Sequence, residues 1–286
     1  MPDETMSVQF WGTRGSIPTP GPETLRYGGN TSCVAVRLAD SHLLIFDAGS
    51  GIVPLGRALV RTGGTLNADI FLTHFHWDHI QGLPFFAPAY QRGTCLRIYG
   101  CEYSEVKLPT IIANQMESTY FPVPLVTLAA DMVFLNLTEA HYAFDAFELD
   151  ALFLEHPGKT LGYALRRGGK ALAYITDNEL GIIADEPSPA VRRLADFVRG
   201  ADLLIHDSQF TRAEYPTVKG RGHSCYEDVV RLADLAGVRR LAFFHHDPER
   251  TDGQIDQLVQ THRQRLAAAG SGVTCFAAQE GMTLEI

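Results

Sequence analysis

The sequence predicts a single α/β domain over residues 1–286, and three observations support this. Short apolar runs typical of strands alternate with helical segments along the chain. Hydrophobic residues make up 45% of the 286 residues and charged residues 20%, as in ordinary globular proteins. No repeat, low-complexity tract or linker-like shift in composition divides the chain. Residues 1–6 are expected to be a flexible tail.

The sequence of the N-terminal quarter predicts four strands and one helix. The segment 52–64 has helical spacing and ends on two glycines, as helices often do. The loop 12–22 contains three glycines and three prolines, and predicts either a rigid turn or one wall of an active-site mouth. Apolar runs bounded by turn residues predict strands at 7–11, 31–38, 42–47 and 68–74.

Residues 83–131 are less regular and rich in proline and aromatic residues. They predict a helix, a short strand and a connecting excursion. Two interpretations remain open for this segment: a variable pocket wall or dimer surface, or core helices joined by irregular loops. A homodimer is the assembly that the first interpretation allows.

The C-terminal half returns to alternating elements. Ser224 with Glu227, and Thr251 with Gln254, fit the capping box that begins a helix. Apolar runs predict strands at 147–156, 160–169, 170–177, 201–207 and 238–246, and helical spacing predicts helices at 188–200, 224–237 and 251–270.

Charge and cysteine content narrow the function classes. The chain carries 24 Lys and Arg against 33 Asp and Glu, a net charge of −9, which disfavours a large nucleic acid because phosphate backbones bind basic side chains. Five scattered cysteines argue against a disulfide framework. No apolar run is long enough for a membrane span, and the N-terminus lacks the pattern of a signal peptide. We therefore expect a cytoplasmic protein without a membrane partner.

The stretch FLTHFHWDHIQG, residues 71–82, holds four metal-ligand side chains within six positions: His74, His76, Asp78 and His79. Imidazole and carboxylate together suit zinc, with manganese or iron as alternatives. In an extended segment His74 and His76 point the same way and can bind one ion. Asp78 and His79 can then serve a second ion. The alternative is a set of hydrogen-bonded histidines at a helix start, with Asp78 as the cap.

Further candidate ligands follow other apolar strands. Since strand ends place side chains at one edge of a sheet, a shared site is expected there. The candidates are His156, Asp177, the pair His245 and His246, the pair His206 and Asp207, and His223 before a predicted helix.

The motif THFHWDH resembles the HxHxDH signature of the metallo-β-lactamase superfamily. GTRGSIPTP, GGNTSC, FDAGSG and GHSCYEDVVRLADLAGVRRLAFFHHDP are similar to its phosphodiesterase branch, which includes ribonuclease Z and the phosphoribosyl cyclic phosphodiesterases. The resemblance implies an αββα sandwich, that is, two mixed β-sheets flanked by helices. It also implies two divalent metal ions, with zinc expected first.

The resemblance implies a role for each matching residue. His223 would protonate the leaving group and Asp207 would steady His223. Asp78 or Asp177 would orient the attacking water while serving as a ligand. Of the tandem pair His245 fits better than His246. The first metal site falls on His74, His76 and His156, and the second on Asp78, His79 and His245, with Asp177 bridging both.

Other polar residues receive structural interpretations. His206 is expected to be structural, and Asp47 to orient a ligand histidine through its free N–H. His42, His141 and His262 are expected to be plain polar surface residues.

A dinuclear site of this kind predicts hydrolysis of a phosphodiester. The expected substrate is a small or cyclic phosphodiester, such as a cyclic nucleotide or a cyclic sugar phosphate. One alternative is a carbonyl substrate (a lactone, thioester or β-lactam), with Tyr163, Tyr174 or Tyr226 assisting the leaving group. A tRNA-processing endonuclease is disfavoured because the chain lacks a Lys- and Arg-rich insertion. A di-iron redox protein is disfavoured because every motif position is hydrolase-like.

Overall fold

Two mixed β-sheets face each other in the computed structural model, which describes residues 5–102 and 106–286. The first sheet has the N-terminal strands at its centre. Its strands are β1 (Met6–Gly12), β2 (Cys33–Leu38), β3 (Leu43–Phe46), β4 (Asn67–Phe71), β5 (Cys95–Gly100), β6 (Asp131–Asn136) and β14 (Thr283–Glu285). They lie in the order β14-β1-β2-β3-β4-β5-β6, with parallel pairing from β3 to β6 and antiparallel pairing elsewhere.

The second sheet is built from the C-terminal half and mirrors this arrangement. Its strands are β7 (Ala140–Ala143), β8 (Glu148–Leu154), β9 (Thr160–Arg167), β10 (Lys170–Ile175), β11 (Leu203–Asp207), β12 (Arg240–Phe244) and β13 (Thr274–Ala277). They lie in the order β13-β12-β11-β10-β9-β8-β7, with β10 to β13 parallel. Because parallel strands share a direction, their carboxyl ends meet at one edge.

Helices cover the outer face of each sheet. The helices are α1 (Ile52–Thr62), α2 (Trp77–Ile80), α3 (Leu108–Asn114), α4 (Pro189–Phe197), α5 (Tyr215–Val218), α6 (Tyr226–Leu235) and α7 (Asp252–Ala268). Buried residues of α1 and α3 pack on the first sheet, and those of α4, α6 and α7 pack on the second. The predicted αββα sandwich of two mixed β-sheets is confirmed.

The core between the sheets is rich in aromatic side chains. Phe46 stacks on Phe71, and the two rings contact Tyr163 and Tyr174 from the opposite sheet at centroid distances of 5.4 to 5.8 Å. These buried side chains fix the two sheets against each other. Residues just past the strand ends are therefore held in place by a rigid core.

Several elements differ from the sequence prediction. Met6 is buried and begins β1, so it is not part of a tail, and residues 1–4 lie outside the described residues. The segment 83–131 contains the predicted short strand and helix as β5 and α3, and it also forms short 3₁₀ turns and ends at the start of β6. The strands β6, β7, β13 and β14 were not predicted, since they are short or mostly exposed edge strands.

The two capping boxes have different outcomes. Thr251 and Gln254 form the predicted reciprocal pair at the start of α7. Ser224 does not cap α6, because its hydroxyl donates to the carbonyl oxygen of Asn178 and accepts the amide of Leu180. A tertiary contact thus replaces the local cap.

Three further expectations can be compared with the structure. His262, predicted at the surface, is only 1% exposed and packs against Tyr226 and Phe243. All five cysteines are free, as expected. Among the described residues, no helix combines the length and apolar character that a membrane crossing needs.

Candidate metal centre

The predicted ligands converge at the edge where the carboxyl ends of β4, β8, β10 and β12 meet. His74 and His76 follow β4, and α2 then carries Asp78 and His79. His156, Asp177 and His245 follow β8, β10 and β12, each within two residues of the strand end. Both halves of the chain therefore contribute to one site.

The first ligand group comprises His74, His76, His156 and Asp177, with their ligand atoms all within 4.8 Å of one another. His76 Nδ1 and His156 Nε2 are 3.1 Å apart, and Asp177 Oδ2 lies 3.5 Å from His156 Nε2 and 3.6 Å from His74 Nε2. Two ligand atoms bound at about 2.1 Å to one tetrahedral ion lie about 3.4 Å apart. The spacing of this group fits a metal ion.

The second ligand group comprises Asp78, His79, Asp177 and His245. Nε2 of His245 lies 3.1 Å from Asp78 Oδ2 and 3.1 Å from Asp177 Oδ1. Nε2 of His79 lies 3.2 Å and 3.1 Å from the same two oxygens. Asp177 thus presents Oδ1 to the second group and Oδ2 to the first, the arrangement expected of a bridging carboxylate.

Neighbouring groups fix how the ligand imidazoles point. His79 Nδ1 donates to Asp47 at 2.8 Å, which leaves Nε2 facing the centre, as predicted for Asp47. Asp47 also accepts the amide of Thr73 at 2.8 Å and the hydroxyl of Tyr174 at 2.9 Å. His156 Nδ1 donates to the carbonyl oxygen of Gly222 at 2.9 Å. These bonds orient the rings for ligation.

Unpaired nitrogens and local charge indicate that a cation fits this centre. The Nε2 atoms of His74 and His79 are buried, and among the described residues neither forms a well-directed hydrogen bond, although Nε2 of His79 lies close to two carboxylate oxygens. Burial lowers the pKa of His74 well below its usual value, which keeps the ring neutral with a free lone pair. Burial would also lower the pKa of His79, but the carboxylates of Asp177 and Asp78 raise it well above its usual value. A divalent cation would balance that negative charge.

Three site residues have left-handed backbone conformations. Asp47, Asp177 and His245 have φ angles of 61°, 51° and 57°. Such conformations are costly for residues other than glycine and cluster at functional sites. Each residue lies within two positions of a strand end, where the chain turns towards the centre or the residues that hold it.

His223 and Asp207 form a hydrogen-bonded pair beside the ligands. His223 Nδ1 donates to Asp207 Oδ2 at 2.7 Å, so the short aspartate side chain reaches it. The His223 ring lies 5.0 Å from His245 and 5.3 Å from His156 between centroids. Burial alone would lower the pKa of His223, but Asp207 raises it to about 9. His223 is therefore placed to hold a proton next to the centre.

The remaining histidine candidates lie outside the ligand groups. His246 Nε2 donates to the carbonyl oxygen of Ala278 at 3.0 Å, and His206 Nδ1 donates to that of Asp207 at 2.7 Å. His42 bonds Asp69, and His141 bonds Asp150. The preference for His245 over His246 agrees with this geometry.

The glycine-rich loop 12–22 contacts the centre directly. The amide of Ser16 donates to Asp78 Oδ2 at 2.8 Å. A Cβ added at Gly15 would lie 2.4 Å from His245 Nδ1, so only glycine fits there. The sequence predicted either a rigid turn or one wall of the active-site mouth for this loop, but it did not predict these two contacts.

The sequence model of the Beta-lactamase superfamily domain matches residues 42–246, well over half of the chain. The chain belongs to the beta-lactamase superfamily. Its similarity to curated proteins extends to ribonuclease Z of Natronomonas pharaonis, 26% identical over 99% of this chain and 98% of that protein.

Solved structures share the superfamily fold. The metallo-beta-lactamase fold protein YhfI from Bacillus subtilis superposes with a TM-score of 0.70 at 19% identity, over 99% of this chain and 100% of that chain. The short form of human tRNase Z superposes with a TM-score of 0.65 at 20% identity, over 97% and 98%. At these identities the likeness concerns the fold alone.

The expectation of a small-molecule substrate in place of a large nucleic acid is wrong. Relatives that match nearly the whole chain are named ribonuclease Z. The prediction treated the net charge of −9 as if it were spread evenly over the surface. Phosphate binding depends on the charges near the site, and the net charge of the whole chain does not reveal how those charges are distributed.

Proposed function

We propose that this protein is a dinuclear metal-dependent phosphodiesterase that hydrolyses phosphodiester bonds of RNA. The main support for the proposal is the position of the His223–Asp207 pair, which lies beside two ligand groups that share Asp177. A phosphodiester releases an alkoxide, which needs a proton, and the paired histidine is placed to supply one. The names of the relatives support RNA as the substrate.

We propose zinc as the native metal and assign the ligands by group. Divalent ions held there supply Lewis acidity and activate water at neutral pH. His74, His76 and His156 would hold the first ion, Asp78, His79 and His245 would hold the second, and Asp177 belongs to both groups.

The chain's own residues would divide the remaining work. His223 donates its proton from Nε2, because Nδ1 is bonded to Asp207. Asp207 holds the ring in position and stabilises its protonated form. Asp78, fixed by the Ser16 amide, orients the attacking water with its carboxylate. We also propose that residues 1–286 form one hydrolase domain.

A small basic patch supports a phosphate backbone as the ligand. Lys159, Lys219 and Arg221 are exposed, and none forms an ion pair with a carboxylate of the described residues. They lie on two loops joined by the His156–Gly222 hydrogen bond. Glu179 anchors one loop by accepting the amides of Gly220 and Gly222. Exposed basic side chains thus lie on the same two loops that carry His156 and Gly222.

The three tyrosines considered as proton donors for a carbonyl substrate do not point towards the candidate metal centre. Tyr163 donates to the carbonyl oxygen of Leu72, and Tyr174 donates to Asp47. Tyr226 is fully buried between α6 and α7, against Phe243 and His262. None of the three faces the ligand groups.

A substrate panel tests the proposed function. Zinc-loaded protein is incubated with short RNAs, a lactone and a thioester, and products are separated by chromatography. We expect cleavage of RNA and no comparable turnover of the carbonyl compounds. Efficient lactone or thioester hydrolysis without any RNA cleavage would replace the proposal with a carbonyl hydrolase.

The basic patch gives a second test. Lys219→Ala with Arg221→Ala should weaken RNA binding several-fold at low salt and reduce the salt dependence of binding by about two counterions. Arg57→Ala with Arg61→Ala serves as the matched control, because both are exposed arginines on α1 without an ion-pair partner among the described residues. An equal effect of the control would remove the patch from the proposal.

A further inference from the structure

A cavity of about 550 Å³ opens beside α2, between that helix and the segment 111–121. Its walls are largely aromatic. Trp77 is 76% exposed, Tyr120 is 73% exposed and Phe85 is 57% exposed. Phe85 and Phe121 contact edge to face with centroids 5.2 Å apart. Large exposed aromatic side chains grouped around one cavity are typical of a binding site.

The cavity shares its backbone with the candidate metal ligands. Trp77 lies between His76 and Asp78 in the chain, and Phe75 lies between His74 and His76. Consecutive Cα atoms are about 3.8 Å apart, so the cavity wall begins within one residue of both ligand groups. A substrate whose phosphate reaches the metal centre can place its neighbouring group in this cavity.

The chemistry of the lining selects the kind of group. Among the described residues that line it, none is charged, so the cavity is unsuited to a phosphate. Gln115 lines the cavity and adds a neutral amide to its wall. A flat ring with acceptor atoms on its edge satisfies both the aromatic walls and this amide.

We propose that this cavity binds an unpaired nucleobase of the nucleotide next to the scissile phosphodiester. The proposal rests on the proposed function, because it assigns the phosphate of the same RNA to the metal centre. The base stacks on Trp77 or Tyr120, and rotation of the Gln115 side chain brings its amide to the edge of the base. Stacking on aromatic side chains is how proteins commonly hold single-stranded bases.

A binding experiment tests the cavity without any turnover. Tryptophan fluorescence is followed while uridine 5′-monophosphate, ribose 5-phosphate or decanoate is added. The protein has two tryptophans, Trp11 and Trp77, so the same titration of Trp77→Phe isolates the Trp77 signal. We expect a saturable change with the nucleotide only, and its loss in Trp77→Phe. An equal response to ribose 5-phosphate or to decanoate would overturn the nucleobase assignment.

A kinetic experiment separates this inference from the proposed function. Zinc-loaded protein is assayed with the 5′-(p-nitrophenyl phosphate) of uridine and with methyl p-nitrophenyl phosphate, which has no base. We expect kcat/KM to favour the uridine diester about ten-fold or more, and Tyr120→Ala to lose most of that preference. Phe153→Ala, which removes an exposed aromatic outside the cavity, should keep it.

The outcomes of the two experiments are distinct. Equal hydrolysis of both diesters would contradict the base site and leave the proposed function standing. Hydrolysis of neither diester would contradict the proposed function, and the fluorescence titration would then decide the base site by itself.

Discussion

The proposed chemistry depends most on one residue, His223. His223→Ala should slow hydrolysis of an alkyl phosphodiester about 10²–10⁴-fold, the usual scale for a general acid. The loss with a p-nitrophenyl diester should be far smaller, because p-nitrophenolate leaves without a proton. Measuring kcat on both substrates, with metal content determined in parallel, checks this.

His141→Ala provides the control for that substitution, since His141 is an exposed histidine on β7 bonded to Asp150. It should leave both rates unchanged. Equal losses with the two substrates in His223→Ala would mean that His223 is not the acid.

Single residues of the site differ in how far the sequence predicted them. His74, His76, Asp78 and His79 stand in one dense motif, and the structure brings them together. The contacts of Tyr174 and Thr73 with Asp47 were missed because these residues lie on β10 and just after β4, far from Asp47 in the sequence, and form no local pattern. Contacts of this kind depend on how the two sheets pack together, and that packing cannot be predicted from the residue pattern of a single sequence.

The loop 12–22 acts at the scale of an element, because its backbone packs against a candidate ligand. Gly15→Ala should displace His245, since the new Cβ would lie 2.4 Å from Nδ1 of that ring. We expect at least ten-fold weaker binding of one metal equivalent, measured by competition with a chromogenic chelator. Gly21→Ala is the matched control in the same loop, where an added Cβ meets nothing within 4 Å. Indistinguishable metal binding by the two variants would refute the contact.

Helix α7 gives a pH dependence of stability through His262. Burial lowers the pKa of His262 in the folded protein. In the unfolded chain His262 has a pKa near 6.5, so as the pH falls the unfolded state binds a proton at this residue before the folded state does. The folded protein therefore loses stability as the pH falls below about 6.5. We expect His262→Gln to flatten the fall in the free energy of unfolding between about pH 6.5 and 5, measured by urea denaturation. An unchanged slope would show that His262 does not contribute.

The elements that the sequence predicted well are those with a strong local signal. The capping box at Thr251 holds because both partners lie on an exposed helix start. The similar pattern at Ser224 fails because that hydroxyl is buried against Asn178. In residues 83–131 the predicted helix and short strand are present as α3 and β5, but their bounds could not be predicted because the short turns around them lack a regular period.

At the scale of the whole molecule, the site exists only because two sheets bring their strand ends together. The motif on α2 belongs to the first half of the chain, and Asp177 and His245 belong to the second. The resemblance to a known superfamily predicted this architecture. The substrate was predicted wrongly because net charge is a property of the whole surface, whereas binding depends on the side chains around the mouth.

The most direct test of the central claim is a zinc titration of RNA cleavage. The protein is stripped with a chelator, and the cleavage rate of a fluorescently labelled RNA is measured as zinc is added. We expect no cleavage by the stripped protein and a rate that rises until about two equivalents per chain are bound, one for each proposed ion position. Undiminished cleavage by the stripped protein, saturation at one equivalent, or no cleavage at two equivalents would contradict the dinuclear centre.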